Sequence, residues 1–325
     1  MQSLLNAAST LACVPSGRAV TMACIVTGSA GETPVARGHS GLNHDGTPLQ
    51  LCVTIDGKGA RYRLLGDPAS DVNDIALRLG RSLAATESLL PLAGAEPLEP
   101  LVRTTLSALI GDADGFDPAR HPDGVLWLAG QLDGPGLALY VDARNGGIDA
   151  VARLREWLKC LADPTPDMEA LLAAVARGRV MSAGIEGVAP GYARAKIYWR
   201  LNSPSALSDI PVKLFAAPAF AEVVTEVIGS REIPLDGIVL STGLAIPGGR
   251  LADVKLDICC CPRCVSLGSA ETVTIARRLA AAHGLQMPDI APLAASGDLA
   301  FIGFGLTRKG DPRLNLYFKP RLAEA

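Results

Sequence analysis

The residues best equipped for chemistry lie in one stretch, Tyr192 to Leu201, with the sequence YARAKIYWRL. As a β-strand it sends Arg194, Lys196, Tyr198 and Arg200 to one face. Ala195, Ile197, Trp199 and Leu201 go to the other, where helices can cover them. Cations gathered on one face repel one another, so they call for an anionic ligand. Other segments repeat the layout. Arg313, Asn315, Tyr317 and Lys319 alternate with Leu314, Leu316 and Phe318, and Asp253, Lys255 and Asp257 alternate with Val254, Leu256 and Ile258. Arg61 and Arg63 share a face in the same way.

These segments are periodic. Tyr140, Tyr198, Asp257 and Tyr317 occupy matching positions, 58, 59 and 60 residues apart. Spacing of this regularity is the signature of an internal repeat. Each unit reads strand, Gly/Pro turn, strand, then helical sequence. Strands are expected at about 49–56 and 60–66, 125–132 and 137–144, 179–187 and 191–201, 237–245 and 250–259, and 299–307 and 312–319. Turns such as Asp56-Gly57-Lys58-Gly59 and Lys309-Gly310-Asp311-Pro312 join them. Helices are expected at about 71–91 with a cap at Ser70 or Asp71, and at 97–110, 149–161, 167–177, before Gly229, and at 269–283. Residues 1–47 carry an N-terminal helix and an irregular segment.

An amphipathic strand in an open sheet turns its polar face to solvent; in a closed barrel that face lines a lumen. Ten strands in a repeating pattern favour closure, which removes exposed edges. The expected fold is α+β: five strand–strand–helix–helix repeats closing a ten-stranded antiparallel β-barrel with a polar lumen, inside a ring of helices. The repeats fall at about 48–121, 122–178, 179–235, 236–297 and 298–325, within a single domain spanning 1–325.

Bulk properties narrow the function. The 325 residues carry a net charge of −3, which points to neither nucleic acid nor an anionic membrane. No apolar run approaches the roughly 18–20 residues needed to span a bilayer. The run Cys259, Cys260, Cys261 and Cys264 suits a reducing, cytoplasmic address.

The segments resemble the ABBA-type aromatic prenyltransferases, in particular the dimethylallyltryptophan synthase branch. GTPLQL at 46–51 with ARYRLLGDP at 60–68 is similar to that family's GTPxE…VRYxxEP region. ARAKIY at 193–198 resembles its Arg-x-Lys-x-Tyr strand, and PRLNLYFKP at 312–320 its last strand. The resemblance implies metal-independent transfer of an isoprenyl group, from dimethylallyl diphosphate to an indole such as tryptophan, in secondary metabolism. No cofactor is implied; prenyl diphosphate and aromatic acceptor are the partners, and a monomer or weak homodimer is expected. It assigns Arg61, Arg194 and Lys196 to the diphosphate, and Tyr198, Tyr317 and Tyr140 to a tyrosine shield around the allyl cation. Three departures stand out. Gln50 replaces the family's glutamate base and cannot take a proton at neutral pH. Ala138 replaces a lysine. Lys255 and Asp257 replace a Gln-x-Tyr pair, so Lys255 is expected to supply the missing cation. A peptide or other natural-product acceptor, or a non-catalytic barrel that binds an anionic small molecule, are the rival readings.

Other motifs carry less. The acidic run Asp112 to Asp117 contains Gly115 and precedes Pro118, which suits a loop rather than a magnesium-binding helix. Cys261-Pro262-Arg263-Cys264 looks like half a zinc site, but Cys259 and Cys260 point to opposite faces of a strand and no histidine is adjacent. No metal ligand is therefore expected.

Overall fold

A computed structural model of the chain describes residues 1–29, 39–111, 116–121, 124–143 and 149–321. Arg144, Gly146-Gly147 and the Asp112–Gly115 part of the acidic run lie outside the described residues.

Ten strands form one closed antiparallel barrel. They are β1 (Leu49–Asp56), β2 (Gly59–Gly66), β3 (Leu126–Gln131), β4 (Leu137–Asp142), β5 (Gly178–Gly187), β6 (Ala193–Leu201), β7 (Ile238–Ile246), β8 (Leu251–Cys259), β9 (Gly297–Thr307) and β10 (Pro312–Pro320). Each strand pairs with its neighbours in sequence, and β1 closes the circle on β10, with Cys52 opposite Tyr317. The five expected hairpins are all present, each within a few residues of its expected bounds.

The helices are α1 (Gln2–Leu11), α2 (Ser16–Val26), α3 (Ile75–Leu92), α4 (Glu99–Ile110), α5 (Ala150–Leu161), α6 (Pro166–Val175), α7 (Pro218–Ile228), α8 (Ser269–Ala282) and α9 (Ala291–Ser296). Local signals start several of them. Thr165 caps α6 by accepting from the Met168 N–H, with Pro166 at the first helical position. Two expectations need correction. Helix α3 begins at Ile75, because the Asp74 carboxylate, not Ser70 or Asp71, accepts from the Ala76 and Leu77 N–H groups. Helices α2 and α9 were not expected. The first is Ala/Val/Met-rich with weak periodicity, and the second is only six residues long.

The main hydrophobic core lies between barrel and helices, built from outward strand residues such as Ile197, Trp199, Leu256, Leu316 and Phe318. Trp199 stacks edge-on against Phe215 in this layer. With the apolar side so covered, the alternating polar residues face the lumen. Their sizes alternate around the circumference. The first strand of each hairpin carries small inward residues at the waist: Cys52, Ala129, Gly184, Gly243 and Gly303. The second strands carry large ones there: Arg63, Tyr140, Lys196 with Tyr198, Lys255 with Asp257, and Tyr317. Gly303 shows the need for this. A β-carbon there would lie 2.1 Å from Asp257 Oδ1.

One segment crosses an end of the barrel. Asp67 and Arg78 form a fully buried ion pair at 2.7 Å, and Ser40 Oγ donates to Asp67 at 2.6 Å. Arg78 also donates to the His39 carbonyl at 3.0 Å. Lys319 pairs with Asp45 on the same segment. The stretch around 39–47 is thereby pinned across the end of the barrel that faces away from the five hairpin turns.

Candidate active site: a two-chambered lumen

The lumen divides into two connected chambers. Toward the hairpin turns it is polar and charged, and toward the opposite end it is apolar and aromatic. Arg63, Tyr198 and Tyr317 line both and mark the boundary.

In the charged chamber Arg194 and Lys196 come from β6, Arg63 from β2, Lys255 from β8 and Arg313 from β10. Carboxylates answer them. Lys196 Nζ donates to Asp253 Oδ1 at 2.5 Å, and Arg194 pairs with Asp253 Oδ2 and with Glu186 at 2.9 Å. Arg63 donates to Glu186 at 2.8 Å, and Arg313 lies 3.5 Å from Asp253. Lys255 bonds Asp257 at 2.5 Å and the Tyr317 hydroxyl at 2.6 Å. Among these groups five cations face three carboxylates, so the chamber keeps a surplus of positive charge.

Burial and neighbours set the protonation states. Burial alone would raise the Glu186 and Asp253 pKa values. Instead Arg194, Arg63 and Lys196 hold Glu186, and Lys196, Arg194 and Arg313 hold Asp253, well below the ordinary carboxylate range, so both stay ionised. Burial pulls Lys196 down to about 8 against the opposing pull of Asp253, and Arg194 and Arg313 add to the decrease. Burial raises Tyr140, Tyr198 and Tyr317, which therefore stand as neutral phenols.

The tyrosines form the partition. Tyr140 and Tyr198 pack edge-to-face with centroids 5.2 Å apart and hydroxyls 3.5 Å apart. Lys255 Nζ sits 5.2 Å from the Tyr198 ring centre and 4.9 Å from that of Tyr317. These rings already hold a cation over their faces, the contact expected of a π-lined cation site.

Beyond the partition the walls are Leu65, Trp127 and Phe301, with Leu42 from the crossing segment as a roof. Ser182 and Arg200 also line this chamber, and two further polar side chains there bear on a bound molecule. Gln50 is buried and committed: its Nε2 donates to Asn43 Oδ1 at 2.7 Å. Asp257 spends one oxygen on Lys255 and leaves Oδ1 buried without a partner.

No protein-family model matches this chain, and neither does any curated protein sequence. Solved structures do. The 5-dimethylallyltryptophan synthase of Streptomyces coelicolor superposes with a TM-score of 0.77, at 19% identity, over 98% of this chain and 95% of that one. The 6-dimethylallyltryptophan synthase of Micromonospora olivasterospora, solved with DMASPP and Trp, gives 0.76 at 16%, over 98% and 95%. AnaPT from Neosartorya fischeri gives 0.70 at 13%, over 98% and 91%. The fold is the aromatic prenyltransferase barrel.

Within this prenyltransferase barrel, Arg194, Lys196, Lys255, Tyr140, Tyr198 and Tyr317 converge on the charged chamber and its partition, and Gln50 lies in the aromatic chamber. Arg61 does not join the buried group. Its side chain is 52% exposed, against 1% for Lys196, and it pairs with Asp56, so it lines the charged chamber from the rim. Two residues further along β2, Arg63 is the inner cation, paired with Glu186. Glu186 and Asp253 also escaped sequence reasoning as site residues. Their signal was present in the strand alternation, which puts Asp253 on the face of Lys255 and Glu186 directly opposite Arg194. Ala138 packs beside Trp127 and Tyr140, so the place of the replaced lysine is filled by apolar contact.

Proposed function

We propose that the protein transfers an allylic isoprenyl group, with dimethylallyl diphosphate as the donor, to an electron-rich arene of the indole class. The donor's diphosphate lies among Arg63, Arg194, Lys196 and Arg313, with Lys255 at the tyrosine boundary. Its allylic C–O bond breaks and the electron pair leaves with the diphosphate, whose growing charge these cations stabilise. The allyl cation faces Tyr140, Tyr198 and Tyr317, whose rings stabilise it and exclude water. An arene carbon in the aromatic chamber forms the new C–C bond, and the ring then loses one proton. Amines and guanidinium groups suffice for the anion, so the reaction needs no metal ion at the diphosphate. The observation that carries this reading is the tyrosine partition between a cationic and an apolar chamber within one closed lumen. The tryptophan and dimethylallyl analogues in the complexes of structural neighbours support the same choice of substrates.

Gln50 cannot accept the arene proton, and its amide is already engaged with Asn43. Asp257 takes that role. It is the carboxylate lining the aromatic chamber among the described residues; its Oδ1 has no hydrogen-bond partner and lies buried against Gly303, from which a side-chain rotation turns it to the ring. Asp257→Asn should lower kcat by about 10²–10⁴-fold, the usual contribution of general base catalysis, while donor KM changes little. A normal kcat in that variant removes Asp257 from the reaction.

The deciding experiment incubates the protein with dimethylallyl diphosphate, a chelator and a panel of indoles and tryptophan peptides, read by mass spectrometry. A prenylated arene is expected. Diphosphate binding without product in any mixture would instead identify a non-catalytic anion-binding barrel.

A further inference from the structure

The mouth of the aromatic chamber holds a cluster that prenyl transfer does not use. Strand β8 ends at Cys259, whose inward side chain pairs across the sheet with Phe301. Cys260 turns outward into the hydrophobic core, its N–H donating to the Ala300 carbonyl at 2.7 Å. Cys261 returns to the inner side. A tight turn through Pro262 and Arg263 then brings Cys264 back, closed by the Cys264 N–H on the Cys261 carbonyl at 2.9 Å. Strand alternation and turn together place the Cys259, Cys261 and Cys264 sulfurs within 4.8 Å of one another. Tetrahedral thiolates on zinc, at about 2.3 Å from the metal, stand about 3.7 Å apart, so small side-chain rotations close the set. Gly237 leaves the space this needs, since a β-carbon there would lie 2.9 Å from Cys264 Sγ.

The surroundings suit a metal–thiolate centre. Three thiolates around a divalent ion leave a net negative charge, and Arg179, Arg200 and Arg263 line the same cavity. The cavity also takes in His44 and adjoins the aromatic chamber through Leu42, Met181 and Phe301. Two of the three sulfurs are buried, which protects a bound ion from exchange. The pattern was hard to read in sequence because the adjacent pair Cys259-Cys260 cannot share a ligand set. The structure replaces that pair with Cys259 and Cys261, two residues apart on one face.

We infer that Cys259, Cys261 and Cys264 form a three-thiolate site for a soft divalent cation of the zinc class, with its fourth position open to the cavity at the mouth of the aromatic chamber. Binding displaces thiol protons and leaves oxidation states unchanged. The centre is distinct from the diphosphate chamber, which lies toward the other end of the barrel and offers no thiol clusters among the described residues.

Cobalt(II) is the probe. Full-length protein, reduced and stripped of metal, should take up one equivalent of cobalt. It should develop the near-ultraviolet thiolate charge-transfer band and the intense visible bands of a tetrahedral site, and equimolar zinc should bleach both. Cys261→Ser should lose these bands, whereas Cys260→Ser, altered on the outer face, should keep them. Absence of the thiolate–cobalt spectrum in reduced wild type overturns the site. An unchanged spectrum in Cys261→Ser, or its loss in Cys260→Ser protein with native circular dichroism, does the same. So does a Cys261–Cys264 disulfide whose reduction restores no metal uptake. Prenyl transfer is scored separately. A chelator effect on turnover that persists in Cys261→Ser arises at the diphosphate end and counts against the cationic clamp, not against this site.

Discussion

The two chambers of the lumen are built from the same ten strands yet handle charge in opposite ways. The hairpin-end chamber crowds cations and carboxylates into one network, in which Asp253 alone touches Lys196, Arg194 and Arg313. The far chamber is mostly apolar, walled by Trp127, Leu65 and Phe301, with Arg200 at its edge, and its Asp257 keeps one oxygen unused. In the proposed reaction the allylic C–O bond ionises beside the first chamber, while the carbocation is kept dry against the second. The difference comes from distance along each strand. On β6, Arg194 and Lys196 lie near the turn and Tyr198 lies deeper. On β10, Arg313 lies near the turn and Tyr317 deeper.

Removing the anchor of the aromatic end should have the largest effect. Arg78→Met leaves Asp67 as an uncompensated buried charge, and loss of such a partner costs about 3–5 kcal/mol. Urea unfolding should report that loss. In protein that remains folded, acceptor KM should rise more than donor KM, since the segment around 39–47 roofs only one chamber. Equal effects on both substrates would contradict the division.

Lys196→Ala attacks the other chamber. The loss of one preorganised charge from the leaving group should lower kcat by about 10²–10³-fold. Steady-state release of diphosphate measures it, and a near-normal rate would remove Lys196 from the clamp.

A milder perturbation needs no mutation. Lys196 carries its charge below its pKa of about 8 and is neutral above it. Donor binding should therefore weaken as the pH rises through about 8, falling toward tenfold per unit if the charge is essential, while acceptor binding stays level. Lys196→Arg, which remains charged at all these pH values, should flatten the donor profile.

The smallest effect tests the counter-ions. Asp253 competes with the diphosphate for Lys196 and Arg194. Asp253→Asn should therefore tighten the binding of inorganic pyrophosphate by a few-fold, read by isothermal titration calorimetry. Weaker binding would show that Asp253 positions the cations more than it opposes the ligand.

The strand positions and the inward face were legible because both rest on local alternation, as in ARAKIYWRL and PRLNLYFKP. Lys196, Tyr198 and Tyr317 could be placed in the lumen from that pattern. Depth along the barrel was not legible. Arg61 and Arg63 share a face, and only the stagger of β2 against its neighbours decides which is at the rim. The acid–base pairing was hidden for a related reason. Asp253 lies 57 residues from Lys196 in the chain, and their contact depends on register between hairpins. Helix α2 was missed because tertiary packing, with Met22 and Val26 fully buried, holds a segment whose own periodicity is weak.

The seam between β1 and β10 has consequences for how the molecule comes into being. Every other pairing joins strands that leave the ribosome in succession, whereas Cys52 must wait for Tyr317 until the eight strands between them have been made. Until then the nascent sheet has two raw borders, open to strand addition by another chain. A message cut short before β10 would therefore yield an adhesive fragment rather than a weakened catalyst, and the step that completes the wall also delivers Tyr317 and Arg313.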